Sequence, residues 1–117
     1  MTRELIIFVT TPGADEAARI AEAIVDERLA ACVNIVEAVE SIYRWEGRVT
    51  RDREALMIIK TTADRYEELE RRVTELHSYT TPEVIAFAIE RGSEKYLGWL
   101  RDSTAEGREG ERQDSQD

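Results

Sequence analysis

A chain of 117 residues is long enough for one domain and too short for two ordinary ones. With 42% hydrophobic residues it can bury a core, yet no apolar run nears the roughly 20 residues of a membrane span, and a single cysteine rules out an internal disulfide framework or a four-cysteine zinc site. The net charge of −9, with no basic stripe, argues against nucleic acid as a partner, because such binding is dominated by phosphate neutralisation.

Met1-Thr2-Arg3-Glu4 leads directly into Leu5-Ile6-Ile7-Phe8-Val9. That run is too short for a secretory leader and no small-residue cleavage site follows, which predicts a soluble cytoplasmic protein. Residues 4–10 are short, apolar and β-branched, the pattern of a buried strand. Thr11-Pro12-Gly13 breaks it, and Asp15 and Glu16 follow as they do in a first helical turn. Ala17, Ile20, Ala21 and Ile24 recur at helical spacing, so an amphipathic helix is expected to end near Leu29.

Residues 32–45 read as a long strand, with Ser41, Tyr43 and Trp45 on one face and Ile42 and Arg44 on the other. The alternation slips near Glu37-Ala38, which predicts a bulge. Glu46-Gly47-Arg48 is a turn signal, and residues 49–61 form a second long strand. Asp64 and Glu67 make a capping pattern for a second helix, striped by Tyr66, Leu69, Val73 and Leu76. Pro82 interrupts the chain, residues 84–89 form a last strand, and Tyr96, Leu97 and Leu100 sit on a short final helix.

The order is β-α-β-β-α-β plus a C-terminal helix, an α+β chain with the ferredoxin-like split βαβ pattern. Residues 1–101 make one domain. Residues 102–117 carry six acids, two arginines and no large apolar side chain, so they read as a disordered acidic tail.

The central hairpin arms are about twice as long as the outer strands. Half of the hairpin must overhang its own sheet, and an isolated two-stranded ribbon is marginal in water. Its open edges template pairing with other chains, and its tip carries Tyr43 and Trp45. Handing one arm to a neighbour is a head-to-tail contact, and such contacts close into rings. A small cyclic homo-oligomer is expected. The alternative is a monomer whose hairpin folds back over its own sheet.

Five stretches, in order, carry a family resemblance. They are Leu29-Ala30-Ala31-Cys32-Val33-Asn34-Ile35, Ser41-Ile42-Tyr43-Arg44-Trp45-Glu46-Gly47, Ile58-Ile59-Lys60-Thr61, His77-Ser78-Tyr79-Thr80-Thr81-Pro82-Glu83 and Tyr96-Leu97-Gly98-Trp99-Leu100. Over about residues 4–101 the chain resembles the CutA divalent-cation tolerance family. The resemblance implies a ferredoxin-like subunit in a stable homotrimer with PII-like architecture, a role in tolerance of copper and other divalent cations, and no established enzymatic reaction. Ser78 stands where the family often has proline, Leu76 where some members have a second histidine, and Thr10 where some have a cysteine.

The metal candidates that remain are His77 and Cys32, with copper the ion that imidazole and thiolate suit and Glu83 an added oxygen donor. No cofactor is required on this reading, and the metal would be copper or another divalent cation, bound weakly. Against ligation, His77 can simply end the second helix and Cys32 can act as a small buried hydrophobe. An enzyme is not expected. The lone histidine has no recognisable nucleophile constellation around it, and the first turn, with one glycine and early acids, is a poor anion cradle. The competing reading is a PII-like regulatory or scaffold trimer that takes a small ligand or partner protein in inter-subunit clefts, where Arg44, Arg48 and Arg51 would matter.

Overall fold

The computed structural model describes residues 3–105. Its elements are β1 (Glu4–Thr11), α1 (Ala14–Asp26), β2 (Cys32–Trp45), β3 (Arg48–Thr62), a single 3₁₀ turn (Ala63–Arg65), α2 (Tyr66–Leu76), β4 (Val84–Ala88) and α3 (Glu94–Ser103). The strands form one antiparallel sheet in the order β2-β3-β1-β4. This is the expected ferredoxin-like α+β architecture.

Strand period two decides which side chains meet the helices. Ile7 lies opposite Ile59 and Ala86, and Val9 opposite Met57 and Val84. On that face Ile7, Val9, Met57 and Ile59 are fully buried, packed with Ile20 and Ile24 of α1 and Leu69 and Val73 of α2. The alternate residues point away from both helices. Ile6, Phe8, Leu56, Ile58, Val36, Ile85 and Phe87 line this second face. It is apolar, and Ile85 and Phe87 are about half exposed, at 47% and 49%. The Phe8 and Phe87 rings meet there at 5.1 Å.

The hairpin overhangs as its length requires. β1 pairs with β3 from Glu4↔Thr62 to Thr11↔Ala55, so residues 48–54 of β3 pair with β2 alone. That is an overhang of roughly 23 Å at about 3.3 Å per residue, in a molecule 50 Å long. The hairpin does not fold back over its sheet, because Trp45 and Val49 remain 61% and 70% exposed. Glu46 and Gly47 both take positive φ, 52° and 80°, the left-handed pair a two-residue hairpin turn needs. The register shift falls between Val36 and Val39, at the predicted bulge, where the free arm leaves the sheet.

Three boundaries differ from the sequence expectation. α1 stops at Asp26 rather than near Leu29, because Arg28 turns left-handed (φ 63°). The Arg28 and Leu29 N–H groups then donate back to the Val25 and Ile24 carbonyls, at 3.0 and 2.8 Å, a Schellman closure. Asp64 is not a helix cap: it sits inside the 3₁₀ turn, and α2 starts at Tyr66 with no side-chain cap. The third concerns the domain boundary at residue 101. α3 continues to Ser103 and Thr104 is buried, its hydroxyl donating to the Leu100 carbonyl at 3.1 Å. The ordered domain therefore includes residues 102–105, and the rest of the expected tail, 106–117, lies outside the described residues.

α3 is fastened at several points. Ser93 caps it, accepting from the Tyr96 N–H at 3.3 Å. Arg101 bonds Glu4, and this guanidinium holds the Glu4 carboxyl below the usual carboxylate range. Arg28 Nη1 donates to the Ser103 carbonyl at 3.0 Å. One residue thus closes α1 with its backbone and caps α3 with its side chain. Arg28→Ala should lower stability by about 1–2 kcal/mol, the scale of a charge-assisted bond to a carbonyl. Amide exchange should quicken in α3 and stay unchanged in β1 and β3.

Candidate functional site

His77 ends α2, its backbone N–H bonded to the Val73 carbonyl at 2.9 Å. Its side chain is fully buried. Nε2 lies 2.7 Å from the Thr10 carbonyl, which can only accept, so Nε2 carries the proton. Nδ1 accepts from the Tyr79 N–H at 3.0 Å. Both ring nitrogens are therefore occupied by the backbone. The ring joins the end of β1 to the loop after α2 and packs against the Tyr79 ring, centroids 4.9 Å apart and planes tilted by 42°.

Glu16 completes this clamp from the first turn of α1. Its carboxylate accepts from the Ser78 N–H at 2.8 Å and the Ser78 hydroxyl at 2.9 Å, and lies 3.5 Å from Nδ1 of His77. A proline at position 78 could make neither bond, so Ser78 suits this loop for a reason of its own.

Cys32 lies elsewhere. It opens β2 opposite Lys60, which lies opposite Ile6. The thiol is 3.9 Å from Oδ1 of Asn34, which also accepts from the Lys60 ammonium. Tyr96 of α3 lies against it, and burial first, then the neighbouring thiol, raises the Tyr96 phenol. Thr10, where His77 is held, is four residues further along β1 than Ile6, roughly 13 Å at strand spacing. The structure does not bring the two candidate ligands together. Glu83 lies exposed in the loop before β4. Among the described residues, no three His, Cys, Asp or Glu side chains converge as a metal site requires. The residues present do not fit a resident metal within one subunit.

The hairpin root holds a network that sequence reading missed. The Tyr79 hydroxyl donates to Glu54 at 2.8 Å, and the Tyr43 hydroxyl donates to Asp52. Partial burial, then Glu54, pushes the Tyr79 phenol up to about 12. Tyr79 and Glu54 are 25 residues apart, and no motif signals the pair. Of the three arginines weighed for an anionic ligand, Arg51 is paired with Glu40 at 3.2 Å and Arg44 bonds the Gly47 carbonyl at 3.4 Å. Two of the three are thus engaged within the hairpin.

The remaining feature is the uncovered surface itself. The second face of the sheet runs into the free hairpin, where strand alternation puts exposed Tyr43 and Trp45 on that same face and exposed Ile42 and Val49 on the other. Large exposed apolar side chains on the sheet and on both sides of the ribbon are the kind of surface that marks an interaction site.

The comparisons with known proteins agree with this fold. The CutA1 divalent ion tolerance protein family model matches residues 5–103. The divalent-cation tolerance protein CutA of Thermus thermophilus is 48% identical over 101 residues, covering 86% of this chain and 98% of the relative. The chloroplastic protein CutA of Arabidopsis thaliana is 49% identical over 100 residues, but this chain spans only 55% of that longer protein. The solved structure of the Thermus thermophilus protein superposes with TM-score 0.85 at 48% identity, covering 87% of this chain and 99% of that one. The crystal structure of CutA1 from Oryza sativa gives 0.87 at 46% identity, covering 89% and 95%.

Two outcomes follow from the clamp. His77→Ala leaves the Thr10 carbonyl and the Tyr79 N–H without their partner and should cost about 2–3 kcal/mol in denaturant unfolding. For Tyr79, the raised phenol favours the protonated form in the folded state. The stability it contributes is complete below pH 10 and lost as pH rises from 10 towards about 12. Tyr79→Phe should remove that part of the alkaline stability loss, read from unfolding midpoints across the range.

Proposed function

The chain belongs to the CutA1 divalent ion tolerance family, and we propose that it serves divalent-cation tolerance as a homotrimer rather than as an enzyme. The observation that carries this reading is the exposed apolar surface: a sheet face that α3 covers at one end only, leaving Ile85 and Phe87 about half exposed, beside an overhanging hairpin with an exposed tip. A subunit that presents its hairpin arm to the next copy makes a contact whose two sides differ. Such contacts either close into a ring or grow into a filament, and a short closed ring covers every hairpin and every sheet face.

The metal chemistry of this reading is weak. Copper suits imidazole and thiolate, yet each ring nitrogen of His77 would have to surrender a backbone hydrogen bond to bind it. Tolerance then works through the assembled surface, with copper or another divalent cation taken up loosely. Names of relatives point the same way, since the Thermus thermophilus protein is called a divalent-cation tolerance protein.

Light scattering should give a mass three times that of the subunit, held on dilution, and a monomeric mass would overturn the assembly. In native mass spectrometry with added copper, His77→Ala should leave metal uptake at the level of the unaltered protein. A stoichiometric copper lost in that variant would overturn the loose-binding reading.

A further inference from the structure

β3 runs unbroken from the sheet into the free hairpin, and the irregularity at the hairpin's root lies in β2. At the bulge between Val36 and Val39 the ladder of β2 and β3 shifts register, and a bulge bends and twists the strand that carries it. Beyond it no strand other than its hairpin partner supports the arm. Glu54 lies opposite Val39, at the first paired position on the tip side of this bend. Tyr79, which comes from the body, reaches across and donates its hydroxyl to Glu54 at 2.8 Å.

Tyr79 is itself well anchored. Its N–H is held by His77, whose ring is fixed to the Thr10 carbonyl, and the next residue back, Ser78, is held twice by Glu16. A continuous chain of bonds therefore runs from the end of β1 through His77 and Tyr79 to the hairpin. Within the arm, Tyr43 bonds Asp52 and Arg51 pairs with Glu40, which ties its two strands together. A bulged root lets an arm change its angle to the sheet, and the bond from Tyr79 opposes that motion.

We infer that the Tyr79–Glu54 hydrogen bond is a strap that fixes the angle of the hairpin across the bulge before subunits meet, and so governs how fast they assemble. Tyr79 is a positioning residue for this step. The inference rests on the assembly proposed above. Fixing a binding segment in its bound orientation beforehand removes ordering cost from association. Two surfaces that need a conformational adjustment dock more slowly than preformed ones.

Refolding from denaturant separates the possibilities, followed by tryptophan fluorescence at several protein concentrations. Folding of the subunit gives a concentration-independent phase, and assembly gives a concentration-dependent one. Tyr79→Phe keeps the ring on His77 and deletes only the hydroxyl. It should slow the concentration-dependent phase about five-fold, the scale of one lost hydrogen bond to a charged acceptor at a partly exposed site. It should leave the concentration-independent phase unchanged. Glu54→Ala should match it, the double variant should be no slower than either single one, and Glu54→Gln, which keeps an acceptor, should assemble close to the original rate. Unchanged assembly in Tyr79→Phe, or additive losses in the double variant, overturn the strap. A refolding trace with no concentration-dependent phase, together with a monomeric mass, overturns the assembly itself.

Discussion

The constraint on which this structure turns is a sheet with apolar side chains on both faces, one fully covered by helices and the other covered at one end only. Ile7, Val9, Met57 and Ile59 are sealed by α1 and α2. Ile6, Phe8, Leu56 and Ile58 alternate with them on the second face and are only partly buried. A sheet with both faces apolar is ordinarily covered on both. α3 covers one end of the second face, where Arg101 meets Glu4 and Tyr96 meets Cys32, and leaves Ile85 and Phe87 open. The free hairpin extends the same problem beyond the sheet. The proposed self-association would answer both with one contact set, which is why assembly stands ahead of metal chemistry in the proposed function.

The residues that look chemical in the sequence do mechanical work in the fold. His77 is a bridge between two backbone segments, with no lone pair left over. Glu16 and Ser78 hold the loop on its other side. The result is a rigid junction at the end of β1, from which Tyr79 reaches the hairpin. Arg28 does the same at the opposite end of the sheet, closing α1 and capping α3. The two junctions bracket the hydrophobic core, at whose margin buried Thr61 donates its hydroxyl to the Leu29 carbonyl at 2.7 Å.

Much of this fold is legible in the amino-acid sequence. Period-two runs mark β2 and β3, the slipped alternation at Glu37-Ala38 marks the bulge, and arm length alone requires the overhang. The unbroken apolar run of Ile6, Ile7, Phe8 and Val9 also marks a strand buried on both faces, although it does not say what covers the second. Local signals fail where tertiary bonds decide. Asp64 has the spacing of a cap, yet the chain tightens into a 3₁₀ turn there. α3 runs past Leu100 because Arg28, 75 residues earlier, caps its end. His77 resembles a ligand because a lone histidine carries no sign of which backbone groups it will meet. The Tyr79–Glu54 bond needs the strand register, which sequence spacing does not supply.

The central claim is that the hairpin tip of the native protein is covered by another copy. Trp45 reports on it directly once the second tryptophan is removed as Trp99→Phe. Collisional quenching by acrylamide should reach Trp45 poorly in the native protein and freely after dissociation in denaturant. Quenching of native Trp45 as efficient as that of free indole would mean that the tip stands in water, and would contradict the account.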